Sequence, residues 1–144
     1  NLGLMMTTYN NAYVASVNMG MDREKTALAV VEAEKHKGPS IVIAYSPCIA
    51  HGYDMKLTKK QSEKATLSGY WPMYRFNPDL RDANQKAFIW DAAEVNTNFE
   101  SYLEEEIRYK TLNLTHPEEA KRLVDLAIHD NEQRMKDIKH LSEV

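Results

Sequence analysis

The chain has 144 residues, a length that suits one domain able to bury an ordinary core. Hydrophobic residues make up 43% and charged residues 27%, the balance of a soluble globular protein, and no apolar run approaches the roughly 20 residues that span a bilayer. The net charge is −3, with Lys and Arg scattered among acids, which argues against a nucleic-acid partner because phosphate contacts need a basic surface.

The opening "NLGLMMTTYNNAYVASV" is apolar, has no initiator Met and lacks the basic-then-apolar order of a signal peptide. It reads as a cut made inside a domain, with a helix end over 2–9. "AYVASVNM", 12–19, is a near-continuous run of small and apolar residues and predicts a buried strand. Asp22 is placed to cap the helix "REKTALAVVEAEKH", with Ala27, Val30, Val31 and Ala33-Glu34 at helical spacing. Gly38-Pro39 stops that helix, and "SIVIAY", 40–45, predicts a second buried strand. Strand, helix and strand with short connections form a βαβ unit, whose strands run parallel with a right-handed crossover.

Beyond Gly52 the patterns weaken. Thr58 is expected to cap a helix through "KKQSEKATLSG" that Gly69 closes. "YWPMYRFNP", 70–78, predicts an edge or irregular strand because Pro72 cannot donate to a ladder. "AFIWDA", 87–92, is a further short strand. One helix follows from about Asn98 through "FESYLEEEIRYKTL". Thr115-His116-Pro117-Glu118 reads as a capping box for the last helix. After it, Ala120, Leu123, Val124, Ala127, Ile128, Met135, Ile138 and Leu141 trace one stripe. The expected organisation is an α/β fold in one unit, 1–144: a βαβ core over 1–52, irregular or edge strands over 53–97, and C-terminal helices over 98–144.

Chemistry concentrates at one place. Cys48, the only cysteine, follows the second strand in "SIVIAYSPCIAHG", and functional groups of parallel α/β sheets gather beyond the carboxyl ends of strands. Three readings stand. Cys48 is a small buried hydrophobe, or a nucleophile with nearby His51 as its base, or a metal or cluster thiolate whose partner ligands lie elsewhere. A lone cysteine makes no internal disulfide, so a reducing, cytoplasmic setting is expected. His36, His116, His129 and His140 fall at helix ends or on polar faces and form no ligand pair. Glu104, Glu105 and Glu106 read as the wet side of a helix, offset by Arg108 and Lys110. Tyr70, Trp71, Tyr74 and Phe76 read as core or subunit packing before a stacking platform. Neither GxGxxG nor GxxxxGK[ST] occurs, so no phosphate cradle is visible.

The blocks "AYVASVNMG", "EAEKHKGPSIVIAYSPCIAHG" and "SGYWPMYRFNP", in this order and spacing, resemble the C-terminal part of the thiamine-diphosphate-binding domain of pyruvate:ferredoxin (flavodoxin) oxidoreductases. The resemblance implies a partial thiamine-diphosphate-binding fold. It implies a parent enzyme that oxidatively decarboxylates pyruvate to acetyl-coenzyme A, with thiamine diphosphate, Mg2+ and iron-sulfur clusters, passing electrons to ferredoxin or flavodoxin. The GDG stretch that holds the diphosphate through the metal in that family is absent here. The family's proximal [4Fe-4S] cluster takes four cysteines, and the fourth lies in the segment matching "AYSPCI"; carried across, Cys48 is that metal ligand. No catalytic or thiamine-contacting residue carries over, and His51 receives no role. The implied partners are the rest of the parent polypeptide and a second subunit, with no nucleic acid and no membrane. On its own, this piece is expected to hold no cofactor and to be inactive. Two rival readings are a non-catalytic binding module and a small thiol enzyme using Cys48 and His51.

Overall fold

Five residues organise the molecule: β1, Tyr13–Val17, is buried at every position. The computed structural model describes residues 1–92 and 94–143. β1 pairs in parallel with β2, Ser40–Ala44, in the register Tyr13↔Ser40 to Val17↔Ala44, and α2, Arg23–Lys35, connects them. This is the expected βαβ unit. On its other side β1 pairs antiparallel with β3, Tyr74–Phe76, which pairs antiparallel with β4, Phe88–Trp90. The sheet order is therefore β2-β1-β3-β4, mixed rather than wholly parallel.

Two strand expectations change place. β2 is not buried: it is the outermost strand, its residues alternate between exposed and half-buried, and Val42 is 37% exposed. β3 was expected at an edge but lies inside the sheet, all three residues buried. Pro72 permits this because it precedes the strand, where its missing N–H costs no ladder bond, and its carbonyl accepts the Ser16 hydroxyl at 2.7 Å.

Alternation along β1 divides the core between two faces. Tyr13, Ala15 and Val17 meet Ala29 and Ala33 of α2. Ala12 and Val14 pack with Tyr74, Phe76, Phe88 and Ile138, against Leu4 and Met6 of α1, Leu2–Thr7. Ile138 belongs to α7, Pro117–Glu143, so the long last helix covers this second face. α2 docks through Thr26, Ala29 and Ala33, and Ala27, Val30 and Val31, expected on the packing face, are exposed. Small residues on the docking side let the helix approach the sheet closely. Asp22 caps α2 as expected, its carboxylate accepting the Lys25 N–H at 2.9 Å.

The later helices differ more from expectation. α3, Thr58–Leu67, starts without a side-chain cap; the Thr58 hydroxyl instead donates to the Met55 carbonyl at 2.6 Å. After the short α4, Pro78–Asp82, the single helix expected from Asn98 is two: α5, Phe99–Leu103, and α6, Ile107–Thr115. Thr115 ends α6, its hydroxyl turning back to Thr111 O at 3.0 Å, so the expected capping box is not formed and α7 begins at Pro117. Along the predicted stripe of α7 only Ala120 and Ile138 are buried, and Asn131 joins them by donating to Ser68 O at 3.0 Å. Among the described residues, no helix is long and apolar enough to cross a membrane.

A buried ion cluster locks the sheet to α2. Arg75 of β3 donates to both oxygens of Asp91, at 2.6 and 3.0 Å, and to Glu32 of α2 at 2.7 Å; Tyr13 donates to the same Glu32 at 2.9 Å. Hydrogen bonding to Asp91, against the cost of burial, holds the guanidinium far above its usual range. Arg75→Ala strands two partly or wholly buried carboxylates, so chemical denaturation should show a loss of about 3–5 kcal/mol.

His36, at the end of α2, ties two segments together: Nδ1 lies 3.0 Å from Asp79 and Nε2 lies 3.0 Å from Asn11 O. Both partners are acceptors, so only the doubly protonated ring satisfies both. Burial pulls its pKa down, but the Asn11 carbonyl and Asp79 carboxylate outweigh this and raise it above the ordinary value. A raised pKa means the contribution is complete below about pH 6.5 and is lost as pH rises through the folded-state value. Melting curves should therefore show wild type above His36→Gln in mildly acidic buffer, with the gap closing as pH rises into the alkaline range.

Candidate functional site: the turn after β2 and a buried carboxyl group

The ends of β1 and β2 are fastened by four hydrogen bonds. The Tyr45 N–H donates to Val17 O at 2.9 Å, and Trp71 Nε1 donates to the same carbonyl at 3.0 Å. Asn18, fully buried, donates to Ser62 O at 2.8 Å and Thr66 Oγ1 at 2.9 Å, docking α3 beside the strand end. Tyr45, Ala65, Tyr102 and Leu103 then form a separate apolar cluster, with Tyr70, Trp71, Phe99, Tyr109 and Val124 packed on it. The four aromatics at 70–76 are therefore packing residues, as expected: Tyr74 and Phe76 in the sheet core, Tyr70 and Trp71 around this cluster.

Above the cluster the chain leaves β2 through Ser46-Pro47 and enters a 3-10 turn, Ile49–His51. Cys48 caps that turn in extended conformation, and its Sγ accepts the Ala50 N–H at 3.4 Å. The thiol is free and exposed, which overturns the buried-hydrophobe reading. Exposed apolar residues stand near it in sequence: Ile49, 78% exposed, with Met55 and Leu57 beyond. Gly52 ends the turn at φ +76°, and a Cβ there would overlap the Ile107 side chain.

The inner side of the turn rests on Glu106. This residue was expected on a wet helix face with Glu104 and Glu105; instead it sits at the break between α5 and α6 with none of its surface exposed. The Tyr102 hydroxyl donates to Oε1 at 2.9 Å. Arg108 Nη2 lies 2.7 Å from Oε2, close enough for an ion pair but poorly aligned for a hydrogen bond. His51 Nδ1 lies 3.6 Å from Oε1, an ion-pair distance when the imidazole is protonated. The Tyr45 hydroxyl lies 3.4 Å from that of Tyr102. Burial, then the Tyr45 hydroxyl and the Glu106 carboxyl, push the Tyr102 phenol far above its usual range. Burial also lifts Tyr53, whose ring lies 6.0 Å from that of His51, to about 12. These phenols stay protonated and act as donors and packing groups.

The structure thus brings His51 to Glu106 and sets Cys48 on the turn that His51 ends; the pattern of residues singled out Cys48 and His51. Among the described residues no hydrogen bond joins the Cys48 thiol to the His51 ring: the thiol takes the Ala50 N–H and the imidazole faces Glu106. The sequence around Glu106 carries a signal of its own. Three successive helical residues sweep about 200° of circumference, so three acids in a row cannot all face water beside Tyr102, Leu103 and Ile107. Either the helix breaks or an acid turns inward, and here both occur.

Cys48 fits one corner of a metal cluster and no more. An exposed thiol on a turn fixed at a strand end, already receiving an N–H···S bond, is what a cluster thiolate requires, since hydrogen bonds to sulfur help set a cluster's potential. Among the described residues no group of three or more His, Cys, Asp and Glu side chains is placed to hold a metal, so other ligands to an ion at Cys48 would come from other polypeptide.

No family model matches the sequence. Among curated proteins, similarity runs through almost the whole chain but only a short stretch of each relative. The chain is 42% identical over 143 residues to the pyruvate:ferredoxin oxidoreductase of Moorella thermoacetica and 37% identical over 144 residues to the pyruvate-flavodoxin oxidoreductase of Enterobacter agglomerans. It is also 34% identical over 153 residues to the pyruvate dehydrogenase (NADP+) of Cryptosporidium parvum. Each match takes in 99% of this chain, which spans 12% of the first two relatives and 8% of the third. Curated homologues of the chain are pyruvate:ferredoxin and pyruvate-flavodoxin oxidoreductases, as the resemblance read from the sequence implied.

Gly52→Ala should destabilise the turn twice, through about 1–2 kcal/mol for a left-handed backbone and through the overlap with Ile107. Adding Ile107→Ala should relieve the overlap and leave the backbone cost. Denaturation of the two variants, with limited proteolysis at 48–54, checks this.

Proposed function

We propose that the chain is a segment of a cytoplasmic pyruvate:ferredoxin or pyruvate-flavodoxin oxidoreductase, inactive on its own. In the parent it supplies Cys48 as the fourth thiolate of a [4Fe-4S] cluster near thiamine diphosphate and Mg2+. The observation that carries this reading is the placement of Cys48: a free thiol, exposed at the C-terminal end of the parallel β1–β2 pair, on a turn tied to the helical layer beneath. The whole parent's substrates, pyruvate and coenzyme A, its carrier and its homodimeric assembly follow from the names of the relatives and the resemblance, and belong to this proposal.

When bound, thiamine diphosphate supplies the electron sink for decarboxylating a 2-oxoacid, and the cluster takes electrons one at a time. The GDG stretch that would hold the diphosphate is not in this sequence, so the chain's own share is structural and ligating. The β1–β2 end sets where the turn begins, the Ala50 N–H supports the sulfur, and the exposed side of the turn leaves the thiolate open to iron held from other polypeptide. A cluster corner on a short turn has little freedom to wander, which keeps the distance to a neighbouring redox partner fixed.

Cys48→Ser in the full-length protein should abolish the electron paramagnetic signal of one [4Fe-4S] cluster and lower iron content by that cluster's share, while other cluster signals persist. Full iron content with every signal unchanged would contradict the assignment.

A further inference from the structure

Among the described residues, the hydrogen bonds of the turn that carries Cys48 are made within the turn itself. Cys48, Ile49 and Ala50 are exposed. Within the turn the bonds are local: the His51 N–H donates to Cys48 O at 3.0 Å and the Gly52 N–H donates to Ile49 O at 3.0 Å. What connects it to the helices is its last two residues, which meet two successive residues of the α5–α6 junction. His51 faces Glu106 at 3.6 Å and Gly52 lies against Ile107. Glu106 itself has no freedom to follow a moving partner. Its carboxyl is fully buried between the Tyr102 hydroxyl at 2.9 Å and Arg108 at 2.7 Å, and both come from the helices it joins.

We propose that Glu106 and His51 form a positioning pair that fixes the direction in which the turn presents the Cys48 thiol. A carboxyl group in the interior is stable only while its partners stay in place. Glu106 keeps the Tyr102 hydroxyl and Arg108 when His51 moves outward, but among the described residues Glu106 is the one carboxyl group within ion-pair distance of His51, so the buried group holds the imidazole, and the imidazole holds the three-residue turn. Gly52 adds a steric stop on the same junction. In its consequence for a cluster the inference rests on the reading of Cys48 as an iron ligand; the geometry of the pair does not.

The test is a double-mutant cycle in the full-length protein with Glu106→Gln, His51→Gln and both together. Alkylation of Cys48 by iodoacetamide after iron removal is followed residue by residue with mass spectrometry. Each single change should speed alkylation severalfold, and the double variant should be no faster than the faster single, because both cut one contact. Effects that multiply, or a rate unchanged by His51→Gln, would overturn the pair. If Glu106→Gln does not fold, His51→Gln, whose side chain is partly exposed where Glu106 is not, is decisive alone: it should raise the alkylation rate with the melting temperature little changed. In the iron-loaded protein both single variants should also release iron faster to a chelator. Faster alkylation with unchanged iron release would overturn the ligand reading of Cys48 while leaving the positioning pair standing.

Discussion

A carboxyl group with no exposed surface, Glu106, is the constraint on which this end of the molecule depends. Burying such a group stabilises nothing by itself; it fixes whatever must surround it. Tyr102, one turn back, and Arg108, two residues on, fix the angle between α5 and α6. Tyr45 lies against Tyr102 from the end of β2, and His51 approaches from the turn beyond. One buried acid therefore connects the helical layer, the strand end and the thiol-bearing turn. The rest of the site is the consequence: an exposed outer half, where Cys48 stands, and an inner half that lies against the acid and Ile107.

A second buried ionic group acts at the opposite face of the sheet. Arg75, Asp91 and Glu32 join β3 to α2, with Tyr13 of β1 contributing a hydroxyl. The two groups divide the labour. The arginine cluster sets the position of the sheet against its helix, and the glutamate group sets what lies beyond the strand ends. Between them runs β1, buried throughout, whose two faces alternate between α2 and the α1–α7 layer. A thiol placed at the end of a paired strand and braced from below suits a ligand that must stay at a fixed distance from its partners.

Local patterns made the βαβ unit legible, since strand composition, the Asp22 cap and the Gly38-Pro39 stop each act within a few residues. What they could not reveal was placement. "SIVIAY" reads as buried because it is apolar, yet β2 is outermost, and whether a strand is central depends on pairings far away in sequence. β3 erred in the other direction: Pro72 spoke for an edge, but it stands just outside the ladder. On α2 the bulky Val30 and Val31 drew attention, while Thr26, Ala29 and Ala33 did the packing. The site was half legible. Cys48 and His51 stood out as candidates after a strand, and the acid beneath His51 did not, because Glu106 lies 58 residues from Cys48 and looked like one of three solvated acids.

The central claim is that Cys48 presents its sulfur to iron whose other ligands lie on other polypeptide. Diffraction from crystals of the full-length protein, collected on both sides of the iron absorption edge, tests it most directly. The account predicts an anomalous peak of several iron atoms with one iron within bonding distance of the Cys48 sulfur, on the open side of the turn. A free Cys48 thiol, with every iron peak ligated by other residues, would contradict it.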